Sequence, residues 1–438
     1  MSKRRLASWI TAICIVAVAG VASYPADSTE ATLTAEQRAL NVESFDYVWT
    51  TIRDKHYDAG LLGLDWDAVR TELRPKVEAA SSMNEARSVM DEMIERLGQS
   101  HFNVIPDEVY EAIGEPEGAL GGVTGIDVRV LGGHALVTRV EAGSPAAEAG
   151  VRPGWEIVRI AADDVSELLE KITAEFDGKS WKAGVLSGAV GARLRGAVGE
   201  EVAVTLLDPD DTEIEMKISL IEERGKKSQF GHLPPQHVWA ESSTVDGNIG
   251  YITFNMWLDP LTVMPVVNDA MASFIQAGVE GVIIDIRGNG GGLPGMAMGV
   301  AGWLVGEKNK YLGTMKTRDT ELKIIVNPRP NAFGGPVAVL IDELSASCSE
   351  IFSGGMQDIG RAQVVGRPSR GAAHPAVVEK LPNGDGFQYA FANYTSADGE
   401  VLEGVGVIPD IQVVPTREAL LAGRDPVLEA AVAWIQNQ

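Results

Sequence analysis

Cysteine is almost absent from this chain. Its 438 residues hold two, Cys14 and Cys348. Cys14 falls within an apolar N-terminal run, so a chain trimmed behind that run keeps one cysteine and no internal disulfide. Positive charge is also short: 37 Lys plus Arg face 61 Asp plus Glu, a formal net charge of −24. A surface of that sign repels phosphate backbones and anionic lipid, which excludes nucleic acid as an expected partner. Histidine is scarce, and His56, His134, His232 and His237 show no metal-ligand spacing. With no His-Glu-x-x-His either, no metal is expected, and no other cofactor. Internal repeats and low-complexity tracts are missing.

What is present begins at the N-terminus. Lys3-Arg4-Arg5 precedes an apolar run from Leu6 to about Ala22, closed by Gly20-Val21-Ala22 and followed by polar Asp27-Ser28-Thr29-Glu30. A basic start, an apolar stretch and small residues make a secretory signal over 1–22. The run sits at the low edge of the ~17–25 residues a spanning helix needs. The functional part is expected to be exported, periplasmic or otherwise extracytoplasmic. It would meet a membrane only if this segment stays uncleaved.

Three further regions follow. Residues 34–113 read as helical: Thr34-x-x-Gln37 caps an apolar face of Val42, Phe45, Val48, Trp49 and Ile52. A second helix with Val69 and Leu73 lies before Pro75, and a third runs from Asn84 to a stop at Gly98. Gln99-Ser100-His101 follows that stop directly, where fixed backbone can hold a histidine whose ordinary pKa suits a general base. Residues 118–223 change to short strands, including 126–130 and 135–140 joined at Gly132-Gly133. Residues 224–243 carry Pro234-Pro235 and read as a linker. From 244 to 438 strands alternate with helices: apolar runs at 250–254, 279–286 and 336–341 predict an α/β domain with a mainly parallel sheet.

The stretch Leu344-Ser345-Ala346-Ser347-Cys348-Ser349-Glu350 joins a buried strand to a helix. Backbone N–H groups and the helix dipole at such a junction stabilise an oxyanion, which suits a nucleophile. Ser347-x-x-Glu350 also fits a capping box, which needs no chemistry. Cys348 is a second possible nucleophile, although lone cysteines are usually just buried. The strand ending in Asp285-Ile286-Arg287-Gly288-Asn289-Gly290-Gly291-Gly292 exposes backbone N–H groups in the same way. Gly290-x-Gly292-x-x-Gly295 matches a dinucleotide fingerprint, but the acidic residue that pattern needs about 20 positions on is missing.

Two motifs together, Asp285-x-Arg287-x-Asn289-x-Gly291-Gly292 and Ser345-Ala-Ser347-x-Ser349-Glu350, resemble the C-terminal processing (tail-specific) peptidases. Residues 143–158, with Ser144-Pro145-Ala146 and Gly154-Trp155, resemble a PDZ domain. The resemblance implies a crotonase-like α/β peptidase core behind an N-terminal helical segment, with a PDZ-like domain inserted over 118–223. A further insertion or lid is expected over about 166–195. One departure matters. Where the bacterial processing branch has its lysine, in Gly-x-x-x-x-Gly-Lys-Gly, this chain has Gly366-Arg-Pro-Ser-Arg-Gly371-Ala372. Lys380 lies outside the motif. The sequence instead resembles the tricorn core branch, which implies a tetrad of Ser100, His101, Ser347 and Glu403. The N–H of Cys348, and one from Gly290 or Gly291, would hold the oxyanion. His374, two residues past the vacant lysine position, is the rival base. The expected activity is hydrolysis of peptides or unfolded protein segments. The alternative is a non-proteolytic peptide- or ligand-binding protein on a peptidase scaffold.

Overall fold

The structure, a computed structural model, describes residues 14–15, 33–114 and 120–438. The predicted signal segment therefore lies outside the described residues, apart from Cys14–Ile15. The centre is a six-stranded sheet in the order 240–245, 249–254, 281–285, 337–341, 363–366 and 411–412. The first pair is antiparallel and the rest are parallel. Gly281–Asp285 and Val337–Ile341 are buried at every position, as their continuous apolar runs require of strands covered on both faces. On one face Ile252, Phe254, Val282, Ile284 and Val339 pack against helices Pro260–Ala277, Pro294–Leu304 and Cys348–Asp358. On the other, Ile283, Ala338 and Leu340 meet helix Pro426–Gln436.

Two readings need correction. The supposed linker contains strands: Gln236–Val238, and Ala240–Val245 at the sheet edge. Residues 241–244 are exposed there, so backbone pairing with 250–253 makes the strand and no apolar alternation announces it. The second helix also does not stop at Pro75. It runs Trp66–Ala79, because Leu73 and Val77 on either side of the proline are both buried in one cluster.

The N-terminal helices Ala35–Lys55, Trp66–Ala79 and Met83–Glu95 do not form a core of their own. Phe45, Val48, Ile52, Leu73 and Met90 pack with Phe387 and Tyr389 of the C-terminal hairpin. Strand Asn103–Ile105 pairs antiparallel with that hairpin, Val104 opposite Phe387. This pairing carries the Ser100-His101 loop to the α/β core. Beneath it, Arg87 makes a bidentate pair with the buried Asp385 (Nη2–Oδ1 2.7 Å, Nε–Oδ2 3.0 Å). Asp385 also accepts from Asp107 N–H and Asn383 Nδ2. Asp385→Ala removes the buried partner of the Arg87 guanidinium and leaves it, among the described residues, only the exposed Glu108 carboxylate (2.7 Å), so urea unfolding should show a loss of about 3 kcal/mol. A loss below about 1 kcal/mol, the value of an exposed pair, would contradict this account.

Residues 126–219 form a separate antiparallel sheet, in the order 213–219, 201–207, 156–160, 134–140, 126–131. Gly132 (φ 61°) and Gly133 (φ 90°) turn the chain between its last two strands, as a two-residue hairpin requires. The expected insertion is two helices, Val165–Glu175 and Lys182–Arg193. Ser187 accepts from Val130 N–H (3.0 Å) and donates to Glu343 Oε1 (2.9 Å). Arg129 reaches Asp342 (2.8 Å). The inserted sheet thus docks on the two residues that lead into the 344–350 stretch.

Candidate active site

Two loops at the C-terminal ends of adjacent parallel strands meet. One is 286–292; the other is 342–349. Gly288 N–H donates to Asp342 Oδ1 (2.8 Å), and Ala346 N–H to Asn289 O (3.1 Å). Asn289 side-chain atoms bridge Phe254 O (2.9 Å) and Gly291 N–H (3.0 Å). Gly292 (φ 144°) must be glycine, since a Cβ there would lie 2.2 Å from Trp257 O. Gly291–Gly292 pairs antiparallel with Cys14–Ile15, so this short strand accepts an extended segment of chain.

The serines of the second loop separate by their hydrogen bonds. Ser345 Oγ donates to Ile286 O (2.8 Å) and accepts from Asp342 N–H. Ser349 Oγ donates to Asn289 O (2.8 Å) and accepts from Trp257 Nε1. Ser347 Oγ is wholly buried and has no partner among the described residues. The capping box between Ser347 and Glu350 is present. Glu350 accepts from Ser347 N–H (2.8 Å), as a capping box requires, while the serine hydroxyl stays uncommitted. Ser347 also holds φ 58°, ψ −114°, a conformation that costs a non-glycine residue about 1–3 kcal/mol. Glu350 fixes it there. Its carboxylate accepts from Ser369 Oγ (2.6 Å), Gly371 N–H (2.7 Å) and Ala372 N–H (3.0 Å) besides Ser347. Burial outweighs those donors and pushes the Glu350 carboxyl up to about 7. The sequence pattern flagged Glu350 only as a helix cap; its bonds to 369–372 are tertiary and have no local signal.

Across the cleft, Glu403 accepts from Ser100 N–H (2.8 Å) and Ser100 Oγ (2.9 Å). Ser100 Oγ lies 2.7 Å from His101 Nδ1. The hydroxyl proton points to the carboxylate, so Nδ1 carries the ring proton and donates, which leaves Nε2 a bare acceptor. That Nε2 is buried and has no partner among the described residues. Burial first, then His374 and Arg370, holds the His101 imidazole well below its usual range, so the ring is neutral. Ala373 N–H donates to Glu403 Oε2 (3.0 Å), and Ser347 N–H also reaches Ala372 O (2.9 Å). Residues 372–373 therefore tie the two halves of the site together. Ala372, at the vacant lysine position, is buried there.

The remaining candidates sort out plainly. Gly291 N–H is committed to Asn289, which leaves Gly290 as the glycine that can offer its N–H beside Cys348. Cys348 is buried in the apolar core cluster, which fits the reading of a packed thiol better than that of a nucleophile. Lys380 is bound to Asp107 (2.7 Å) and Gly384 O (2.7 Å), away from the site. His374 is buried, with neither ring nitrogen hydrogen-bonded among the described residues and Nε2 3.8 Å from Glu403 Oε1. Burial, then His56, lowers its imidazole to about 3. It faces the carboxylate end of the relay. Among the described residues no cluster could hold a metal ion.

Comparison with known proteins places the chain among the serine-type peptidases. Residues 248–413 match peptidase family S41, and residues 40–95 match the tricorn protease C1 domain. The chain is 27% identical over 387 residues to carboxyl-terminal-processing peptidase 3, chloroplastic, of Arabidopsis thaliana, covering 87% of this chain and 69% of that one. It is 24% identical to a probable CtpA-like serine protease of Staphylococcus aureus, covering 76% of this chain and 61% of that protein's length. The solved photosystem II D1 C-terminal processing protease shares its fold, with a TM-score of 0.58 at 20% identity, over 89% of this chain and 97% of the other.

Proposed function

We propose that this protein is an exported serine endopeptidase that cleaves peptides, or unfolded and C-terminal protein segments, through an acyl-enzyme. One observation carries the reading: among the serines of the 345–349 loop only Ser347 Oγ lacks a partner among the described residues, and the nitrogen of His101 left uncommitted among them is the acceptor a nucleophile needs. Ser347 Oγ attacks the carbonyl carbon while Nε2 takes its proton. The C–N bond breaks and the amine leaves with that proton. Water, deprotonated by Nε2, then attacks the ester and frees the new carboxylate and the serine. Ser100 and Glu403 orient the ring and favour the imidazolium that forms. The N–H groups of Gly290 and Cys348 hold the oxyanion. The crotonase-like assignment of the core fits the parallel sheet with its glycine loop. The sheet at 126–219, read as PDZ-like, would present or gate peptide ends by strand addition. Export rests on the basic and apolar N-terminal pattern.

The binding-protein alternative rests on Ala372 alone; the relay of Ser100, His101 and Glu403 has no purpose in it. The two separate on one assay. The chain lacking 1–22 should cleave a reduced, unfolded protein, and Ser347→Ala should not. Equal rates for parent and variant would end the peptidase assignment.

A further inference from the structure

We propose that Arg370 is a carboxylate-recognition residue, which binds an anionic group of the substrate beside the nucleophile loop. The proposal rests on the peptidase reading for its substrate, and on separate observations for its site.

Other arginines in the interior of this protein have partners. Arg87 pairs with Asp385, Arg129 with Asp342, Arg287 with Asp285 and Asp425, and Arg367 with Glu343. Arg361 donates to the carbonyls of Phe333 and Gly335. The half-buried Arg370 guanidinium makes no hydrogen bond or ion pair among the described residues. Its main chain is fixed in the site: Arg370 N–H donates to Ser345 O (3.0 Å), and the next N–H, Gly371, to Glu350. Above it lies the inserted helix Lys182–Arg193, which comes so close that a Cβ on Gly184 would sit 3.5 Å from Arg370 Cδ and Cζ, and 2.6 Å from Glu343 O. The guanidinium is near enough to His101 for its charge to disfavour the imidazolium.

Among the described residues Glu350 is the one anion in electrostatic reach, and its oxygens already accept from four other donors. Desolvation lowers the Arg370 guanidinium to about 10, in keeping with a charge that has no ion-pair partner among the described residues. An incoming carboxylate would supply the missing acceptor in the bidentate geometry that a guanidinium offers. A locally fixed cation is also what an anionic segment needs in order to approach a chain of net charge −24. The same chemistry can come from the α-carboxylate at a peptide's end or from an internal Asp or Glu.

The test is cleavage of a peptide library, generated by digesting a whole proteome, by the full chain, by Arg370→Gln and by Arg370→Lys, with sites read by mass spectrometry. The parent should enrich a carboxylate by about tenfold at one fixed place relative to the cut. A fixed distance from the C-terminus identifies the α-carboxylate; Asp or Glu at one subsite identifies a side chain. Arg370→Gln should lose the enrichment and Arg370→Lys should keep part of it. If Arg370→Gln retains the parent's pattern, or slows all peptides alike, the proposal is overturned. Capture of the same library by Ser347→Ala protein repeats the comparison without turnover. Arg370-dependent capture with no cleavage by the parent would sink the peptidase reading and leave this one standing.

Discussion

His101→Ala lowers kcat/KM for peptide cleavage by about 10⁴-fold or more, the scale on which loss of a nucleophile's base is felt. Ser347→Ala falls to the same level, and the double variant falls no further, because the two act as one unit. The pH profile carries a second signature. Burial first, with the neighbouring His374 and Arg370 acting in the same direction, holds His101 neutral, so the acid limb assigned to this base lies well below the 6.5 of an ordinary imidazole. Stability runs the other way. Below about pH 6.5 the unfolded chain takes up protons that folded His101 and His374 refuse. Their contribution is complete above that pH and is lost as pH falls toward their folded values. An acid limb at or above 6.5 that disappears in His101→Ala would contradict the neutral, buried base.

Glu403→Gln is expected to reduce kcat by about 10²-fold with little change in KM, since the carboxylate orients the base and touches no substrate. The amide keeps the shape but turns a donor toward Ser100 or Ala373, so at least one of three present hydrogen bonds is broken. Ser100→Ala should give a similar loss, as it cuts the 2.7 Å contact to Nδ1. The combined variant should be close to either single one, the sign that both act through a shared path. Multiplying losses would show that Ser100 and Glu403 act independently.

Much of the α/β core was legible in the sequence, because its strands are unbroken apolar runs and its helices begin at recognisable caps. The edge strand at 240–245 was not. Its side chains are polar and exposed, and only the neighbouring strand makes it one. The pairing of Asn103–Ile105 with the C-terminal hairpin was equally invisible, yet it is what delivers His101. Within the site, the identities of Ser100, His101, Ser347 and Glu403 came from resemblance to a family. Residue chemistry alone could not choose among the serines of the 345–349 loop. Their hydrogen bonds do separate them, because two hydroxyls have partners and one has none among the described residues. Glu350 was misjudged in the other direction. A local pattern explained it as a cap, while its main work is to hold Ser347 and the 369–372 segment in place.

Activation of Ser347 by His101 can be measured directly. A fluorophosphonate reacts only with an activated serine, so its site and rate report on that pair directly. The folded parent should carry one adduct, on Ser347, and the denatured chain none. Labelling of His101→Ala should be slower by several orders of magnitude. An adduct on Ser345 or Ser349, or an unchanged rate in His101→Ala, would contradict the account.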